Sequence, residues 1–452
     1  MKRKHEFRLI DFAAAVVLVA CWTWAAWGGV TQPPPDRARL QPPKPNPAAP
    51  VDYIAWLNGT NGCLQENAFD AYIKAYKRLA RFEDKWGKTL TQPWSDSPAV
   101  AAWLRANQEG LALFRRAAGR SDFCFRLSRN REFVEPRALA LLLAWEKPVW
   151  RSHLDASMGL LAAGWRAWLA GNEELLLENA MVVLRAAHHL QAVPWPIARL
   201  FGDGAAVPAY RALLCGFAKA QDPAKWAARL AVALERDDPP APPFGYACSR
   251  LRFEFWDLCQ RVFLPGGSEG LWPVHRGMIQ ALIPRLEGKS EDLIKRLESI
   301  GLAASLRESD AYYDSLERWN GLPYYLAAEK PFPLDALLRA SINPLVQLQA
   351  GLTLETRAKI ERTIGLRRAT HLVMYLWLYR ARFGTFPDRL GQMIVPDLET
   401  LRRDPFSGED FAYRRDGNDF LFYSVAYNLS DDGGQHDPEW KSGDYVFWPV
   451  RD

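Results

Sequence analysis

From Phe12 to Val30 the chain carries no charged side chain, and this run constrains the rest more than any other feature. It is close to the roughly 20 apolar residues an α-helix needs to cross a bilayer. Lys2, Arg3, Lys4 and Arg8 precede it; this basic group favours a cytoplasmic start, with Trp22, Trp24 and Trp27 toward the far interface. Asp11, at the cytoplasmic edge, can reach headgroup water. The expectation is a basic cytoplasmic tail over 1–8, a transmembrane signal anchor over 9–30, and the bulk of the chain outside the inner membrane. Two other readings of the run also export the rest. One is a cleaved signal peptide, for which Ala25-Ala26-Trp27-Gly28-Gly29 is a poor cleavage site. The other is a lipoprotein signal in which Leu18-Val19-Ala20-Cys21 makes Cys21 the lipidated residue.

Residues 31–50 are proline-rich. Proline lacks an amide donor and favours extended polyproline backbone, so this stretch is read as a semi-rigid linker. Beyond it the apolar spacing is helical. Tyr72, Tyr76, Leu79, Phe82 and Trp86 recur at three- and four-residue steps, as do Leu176, Ala180, Val183, Ala187 and Leu190. Gly171-Asn172 is the expected break of a helical hairpin that starts near His153. Further helices are predicted over 206–219, 223–235, 250–263 and 290–300, with Pro239, Pro240, Pro242 and Pro243 in a loop. Residues 51–350 are therefore read as one large α-helical domain of helical hairpins, without a fixed repeat period. At 49% hydrophobic and 24% charged the composition is that of a folded chain, and a net charge of +5 implies no nucleic-acid partner.

Recognisable reaction machinery is absent from the sequence. The seven histidines fall in no metal-binding spacing, and adjacent His188 and His189 point about a hundred degrees apart on a helix. No nucleophile elbow, Walker loop or dinucleotide fingerprint occurs. Glu173, Glu174 and Glu178 read as a solvated helix face. The 19 tryptophans read as packing pieces ahead of a ligand platform. Six cysteines lack C-x-x-C spacing; Cys248 with Cys259 and Cys63 with Cys124 are candidate pairs. The expectation leans away from an enzyme.

The last hundred or so residues change character. A long helix is predicted from Thr353 to Phe383, with Leu366, Ala369, Val373, Leu376 and Phe383 along its apolar stripe. Gly384-Thr385-Phe386-Pro387 ends it. Asp404-Pro405-Phe406 reads as a turn. Phe411–Arg414 and Phe420–Val425 read as strands joined at Asp416-Gly417, and Asp444–Trp448 as a last strand after the polar loop 428–443. In this order the segment resembles the globular part of the type II secretion major pseudopilin, which also has a G-x-[YF]-P segment after its helix, a D-P-[WF] turn, an aromatic strand ending in Tyr-Ser, and an Asp/Gly-rich loop. The resemblance implies a small α+β module over 353–452 with a short antiparallel sheet. It also implies a calcium site drawn from Asn428, Asp431, Asp432, Asp437 and Asp444. Such a loop suits Ca²⁺, which takes several oxygen ligands; the alternative is a solvated turn, which Asp and Gly also favour. The chain departs from the family in having no pseudopilin processing site, and in the long span between its anchor and Thr353, so filament assembly is not carried over.

The fold expected is mainly α: an anchor, a large helical domain, then the α+β module. The function expected is an envelope scaffold with a protein partner, possessing the membrane as its other partner. The alternatives are an exported cell-wall or glycan hydrolase with a tryptophan-lined groove, and a specialised type II secretion component.

Overall fold

The computed structural model describes residues 43–53, 55–56, 67–82, 97–124, 147–193, 195–248, 251–265, 272–282, 290–330, 332, 337, 341, 343–347 and 354–451. The anchor expected over 9–30, Cys21, Cys63 and most of the linker lie outside them. Among the described residues no helix is long and apolar enough to cross a membrane.

Asn67 starts the first described helix, α1 (Ala68–Tyr76), its side chain accepting from the Phe69 amide at 2.7 Å. The helix stops well short of the predicted Trp86. Instead, α2 (Pro98–Ala106) and α3 (Gln108–Ala118) hold the following segment in a non-helical path. Trp103 Nε1 donates to the carbonyls of Ala80 and Arg81, and Asn107 accepts from the Ala80 amide. Leu79 and Phe82 thus continue the apolar stripe without continuing the helix.

Helices α4 (Lys147–Leu169) and α5 (Glu174–Gln191) pack against each other across the expected break. Gly171 there has φ +86, the left-handed conformation glycine adopts without a Cβ clash. A Cβ on Gly164 would stand 2.8 Å from the Leu176 Cα, so the two backbones cross with no room for a side chain. Next come α6 (Pro196–Lys219) and α7 (Pro223–Asp237), the latter opened by Asp222, which accepts from the amides of Ala224 and Lys225. Helix α6 begins ten residues before the predicted 206: Pro196 suits its first turn, and the buried packing of Ala198, Ala205 and Ala206 carries the helix through Pro208.

A second set follows: α8 (Phe244–Cys248), α9 (Leu251–Val262), α10 (Arg276–Leu282), α11 (Ser290–Asn320), α12 (Tyr324–Glu329) and α13 (Pro344–Gln347). Helix α11 is broken at Gly301, φ 72, where the sequence placed the end of a helix. Helices α9, α10, α11 and α13 enclose their own core around Phe255, Cys259, Ile279, Leu297 and Leu345.

The carboxyl-terminal part is α14 (Leu354–Phe383), a short 3₁₀ turn, α15 (Leu398–Leu401) and three strands, β1 (Ala412–Asp416), β2 (Asp419–Ser424) and β3 (Tyr445–Trp448). They form an antiparallel meander in the order β1-β2-β3. Asp416 pairs with Asp419 around Gly417, whose φ of 55 suits the tight hairpin. Along α14, Leu366, Ala369, Val373 and Leu376 are fully buried as expected, but so are Thr370, Leu372 and Met374. The reason is that α14 lies between the sheet side and helices α6 and α7. Phe383, expected on the buried stripe, is 54% exposed, because the helix outruns those neighbours in its last turn. One continuous core reaches from Tyr72 on α1 through α4–α7 to Phe447 on β3.

Candidate functional site

The acidic loop between β2 and β3 is pinned at both ends. The Tyr427 amide donates to the Trp440 carbonyl at 3.1 Å, and the Asp437 amide to the Asp444 carbonyl at 2.8 Å. Within it the five predicted ligands divide. Asp437 is consumed by the loop itself, accepting from the amides of Glu439, Lys441 and Ser442 and from Ser442 Oγ. Its burial pushes the carboxyl up, but those bonds outweigh it and hold the group down at about 2. Asn428 is turned inward on the loop, donating to Asp432 Oδ2 at 2.8 Å and accepting from the Ser430 amide.

Asp431, Asp432 and Asp444 remain. Asp431 Oδ1 accepts from Tyr423 Oη and the Gly433 amide. Asp444 is buried, and its Oδ2 accepts from the Gly434 amide at 2.7 Å, while Oδ1 is buried with no hydrogen-bond partner. Burial raises the Asp444 carboxyl, and the charges of Asp431 and Asp432 raise it further against the pull of the Gly434 and Asp432 amides. The charges of Asp431 and Asp432 thus reach Asp444, which keeps an orphan oxygen. Among the described residues, no group of three or more His, Cys, Asp or Glu side chains is gathered as a metal site would require.

Behind this loop the D-P-F turn and the Tyr-Ser strand end are joined. Asp404 is 1% exposed; it accepts from the Phe406 amide at 3.0 Å, from Ser424 Oγ at 2.8 Å and from the Val425 amide at 3.0 Å. Burial pushes its carboxyl up to about 6 despite these bonds.

A second polar assembly went unread in the sequence. Asp238, the C-cap of α7, is fully buried where α5, α6, α7 and α14 meet. It accepts from His188 Nε2 (2.9 Å), Tyr210 Oη (2.6 Å) and His371 Nε2 (2.8 Å), and Arg367 Nε stands 3.1 Å from Oδ2. Burial alone would raise the carboxyl, but the His188 and His371 bonds and the Arg367 charge hold it far below the usual carboxylate range. The network continues from His188 Nδ1 to Gln191 Oε1 and from Gln191 Nε2 to Asp203, which is paired with Arg199 at 2.9 Å. With its carboxylate fully buried at the junction, this assembly fastens helices together. The signal that could have revealed it is the i,i+4 spacing of Arg199 with Asp203 and of Arg367 with His371.

The other candidates resolve as packing. His189 and His153 hydrogen-bond Tyr72 and Tyr76, and none of the described tryptophans is exposed. Cys248 and Cys259 are buried free thiols and do not pair as expected. Burial raises both, Cys248 to about 12, which leaves them unreactive. Cys124 is disulfide-bonded.

Comparison with family models, curated proteins and solved structures finds no match to this chain.

Proposed function

We propose that the chain is an envelope scaffold, anchored in the inner membrane by residues 9–30, with its bulk outside the cytoplasm and a pseudopilin-like carboxyl-terminal module that calcium stabilises. The observation that carries this reading is the position of α14. In a pilin-like filament the corresponding helix must be free to pack against copies of itself; here it is covered by α6 and α7 on one side and touches β3 on another. The Asp238 assembly bolts it to them. The module is therefore used as a docked part of a larger body, which favours a scaffold over a secretion filament. The clasp of Asp404 on Ser424 supports the likeness to the pseudopilin module, because it ties two of the motifs on which that likeness rests. The Cys124 disulfide supports an oxidising compartment. A tryptophan-lined glycan groove draws no support, since the tryptophan side chains among the described residues are spent on packing.

Asp431, Asp432 and the free Oδ1 of Asp444 would hold the calcium ion, with Asp437 outside the ligand set. Bound there, the ion would neutralise the mutual repulsion of the three carboxylates and lock the loop against β2 and β3. Protease added to intact spheroplasts tests the placement: removal of the bulk of the chain is expected, and full protection would defeat it. A photo-crosslinker at fully exposed Ile394 should trap a reproducible envelope partner in living cells, and its failure to do so at Ile394 and Phe383 alike would count against the scaffold.

A further inference from the structure

Three nitrogen-bearing side chains from three parts of the chain lie against one pair of rings. Trp440, in the loop after β2, and Tyr445, the first residue of β3, are stacked with centroids 4.0 Å apart. Arg362 of α14 lies 5.7 Å from the Trp440 ring, Arg211 of α6 lies 6.0 Å from the Tyr445 ring, and the His436 ring is 5.0 Å from that of Tyr445.

On these side chains the hydrogen-bonding capacity left over is all of one kind. Arg362 Nε and Trp440 Nε1 are buried donors with no acceptor. His436 Nδ1 accepts from the Val446 amide at 3.1 Å, so in the neutral ring the proton sits on Nε2, a third buried donor without a partner. On the same helix as Arg362, Arg357 is paired with Glu361 and Arg367 with Asp238. Among the described residues neither Arg362 nor Arg211 has a carboxylate within ion-pair distance. Asp437, the carboxylate whose charge reaches His436, is already saturated by three backbone amides and Ser442.

The two guanidiniums also feel each other. Burial lowers Arg362 and the charge of Arg211 lowers it further, against the tyrosines 445 and 427. His436 is lowered by burial and then by Arg211 and Arg451. Arg451 itself donates to the Gly434 carbonyl. Half-buried like charges without counter-ions are costly, and ring faces offset only part of that cost. A guanidinium presents its donors in a planar fork that matches two oxygens of one group, which points to an oxyanion ahead of a halide.

We propose that Arg211, Arg362, His436 and the Trp440 indole form a binding site for an oxyanion, a phosphate or a carboxylate, at the seam between α6, α14 and the loop before β3. An occupant joins segments more than two hundred residues apart in sequence and so stabilises the docked state of the carboxyl-terminal part. The site shares no residue with the calcium ligands proposed above, and it has the opposite charge.

Thermal melting of the purified full-length chain tests the site, with potassium phosphate, potassium acetate and potassium chloride compared at matched ionic strength and without divalent cations. A saturable rise in Tm of about 2–5 °C over chloride is expected for at least one oxyanion. A larger response to phosphate marks a phosphate ligand, and a larger response to acetate marks a carboxylate. Arg211→Gln should abolish the response while leaving the anion-free Tm equal to or above that of the parent, since it removes a like charge. Arg362→Lys should weaken the response at least fivefold, and it keeps the test alive if Arg362→Gln fails to fold. No saturable shift with either oxyanion, or a shift that Arg211→Gln retains, overturns the proposal.

Discussion

Asp404 shows how one buried carboxyl acts on stability in two opposing ways. Its oxygens satisfy two buried amides and the Ser424 hydroxyl, so Asp404→Ala leaves donors stranded and should cost about 2–4 kcal/mol in urea unfolding. The carboxyl itself is held at about 6 against an ordinary 3.8. In the folded state it binds its proton more tightly than in the unfolded chain. Its contribution is therefore full below about pH 4 and is lost as pH rises through about 6, a difference of about 3 kcal/mol. His153 carries the opposite sign. Burial among Tyr72, Tyr76 and Phe114 lowers its imidazole to about 3 from 6.5. The unfolded chain takes up that proton first, so stability falls as pH drops below about 6.5 toward 3. Replacing the pair by Tyr76→Phe and His153→Phe together should flatten that acid limb, measured as the slope of unfolding free energy between pH 6.5 and 4. An unchanged slope would mean that His153 is charged in the fold.

At the scale of elements, the contacts between helices are set by what is missing as much as by what packs. Gly164 allows the α4 backbone to approach the Leu176 Cα of α5. Gly164→Ala should push the pair apart and cost about 1–3 kcal/mol, read as a lower urea midpoint with little change in slope. The elements themselves were legible where their ends carry local chemistry. Gly171 and Gly384 both adopt positive φ at helix ends, and Gly417 turns the β1-β2 hairpin; each was placed from sequence. Helix α1 ends before the predicted Trp86 because Leu79 and Phe82 keep helical spacing while Trp103 of α2 and Asn107 after it hold the backbone. An apolar stripe announces a single buried face on α14, whereas its polar residues Arg367 and His371 reach Asp238 at the end of α7 and Thr370 is buried on its own helix.

At the scale of the whole molecule, the Asp238 assembly decides whether the carboxyl-terminal part stays docked. Four groups converge on one carboxylate, and removing it leaves buried histidines and a guanidinium without a counter-charge. Asp238→Ala should cost about 3–5 kcal/mol and expose α14 to limited proteolysis before the rest of the chain unfolds. Undiminished protease resistance would show that apolar packing alone holds α14. Millimolar calcium should raise the Tm of the full-length chain through the native-state linkage of ligand binding, and Asp444→Asn should remove that rise while Asp437→Asn retains it. No calcium-dependent shift would end the metal assignment.

Much of the order of elements in the last hundred residues was determined by the sequence alone, because helix stops and hairpin turns follow from glycine, proline and aspartate acting on their immediate neighbours. In the acidic loop Asp437 is held by amides of its own local turn, whereas only tertiary structure buries Asp444 and leaves it with an unused oxygen. The same holds for the meeting of Asp238 with His188 and His371, and of Arg211 with Arg362. Those groups are brought together by how helices cross, and burial then gives their charges a strength that spacing along a chain cannot encode.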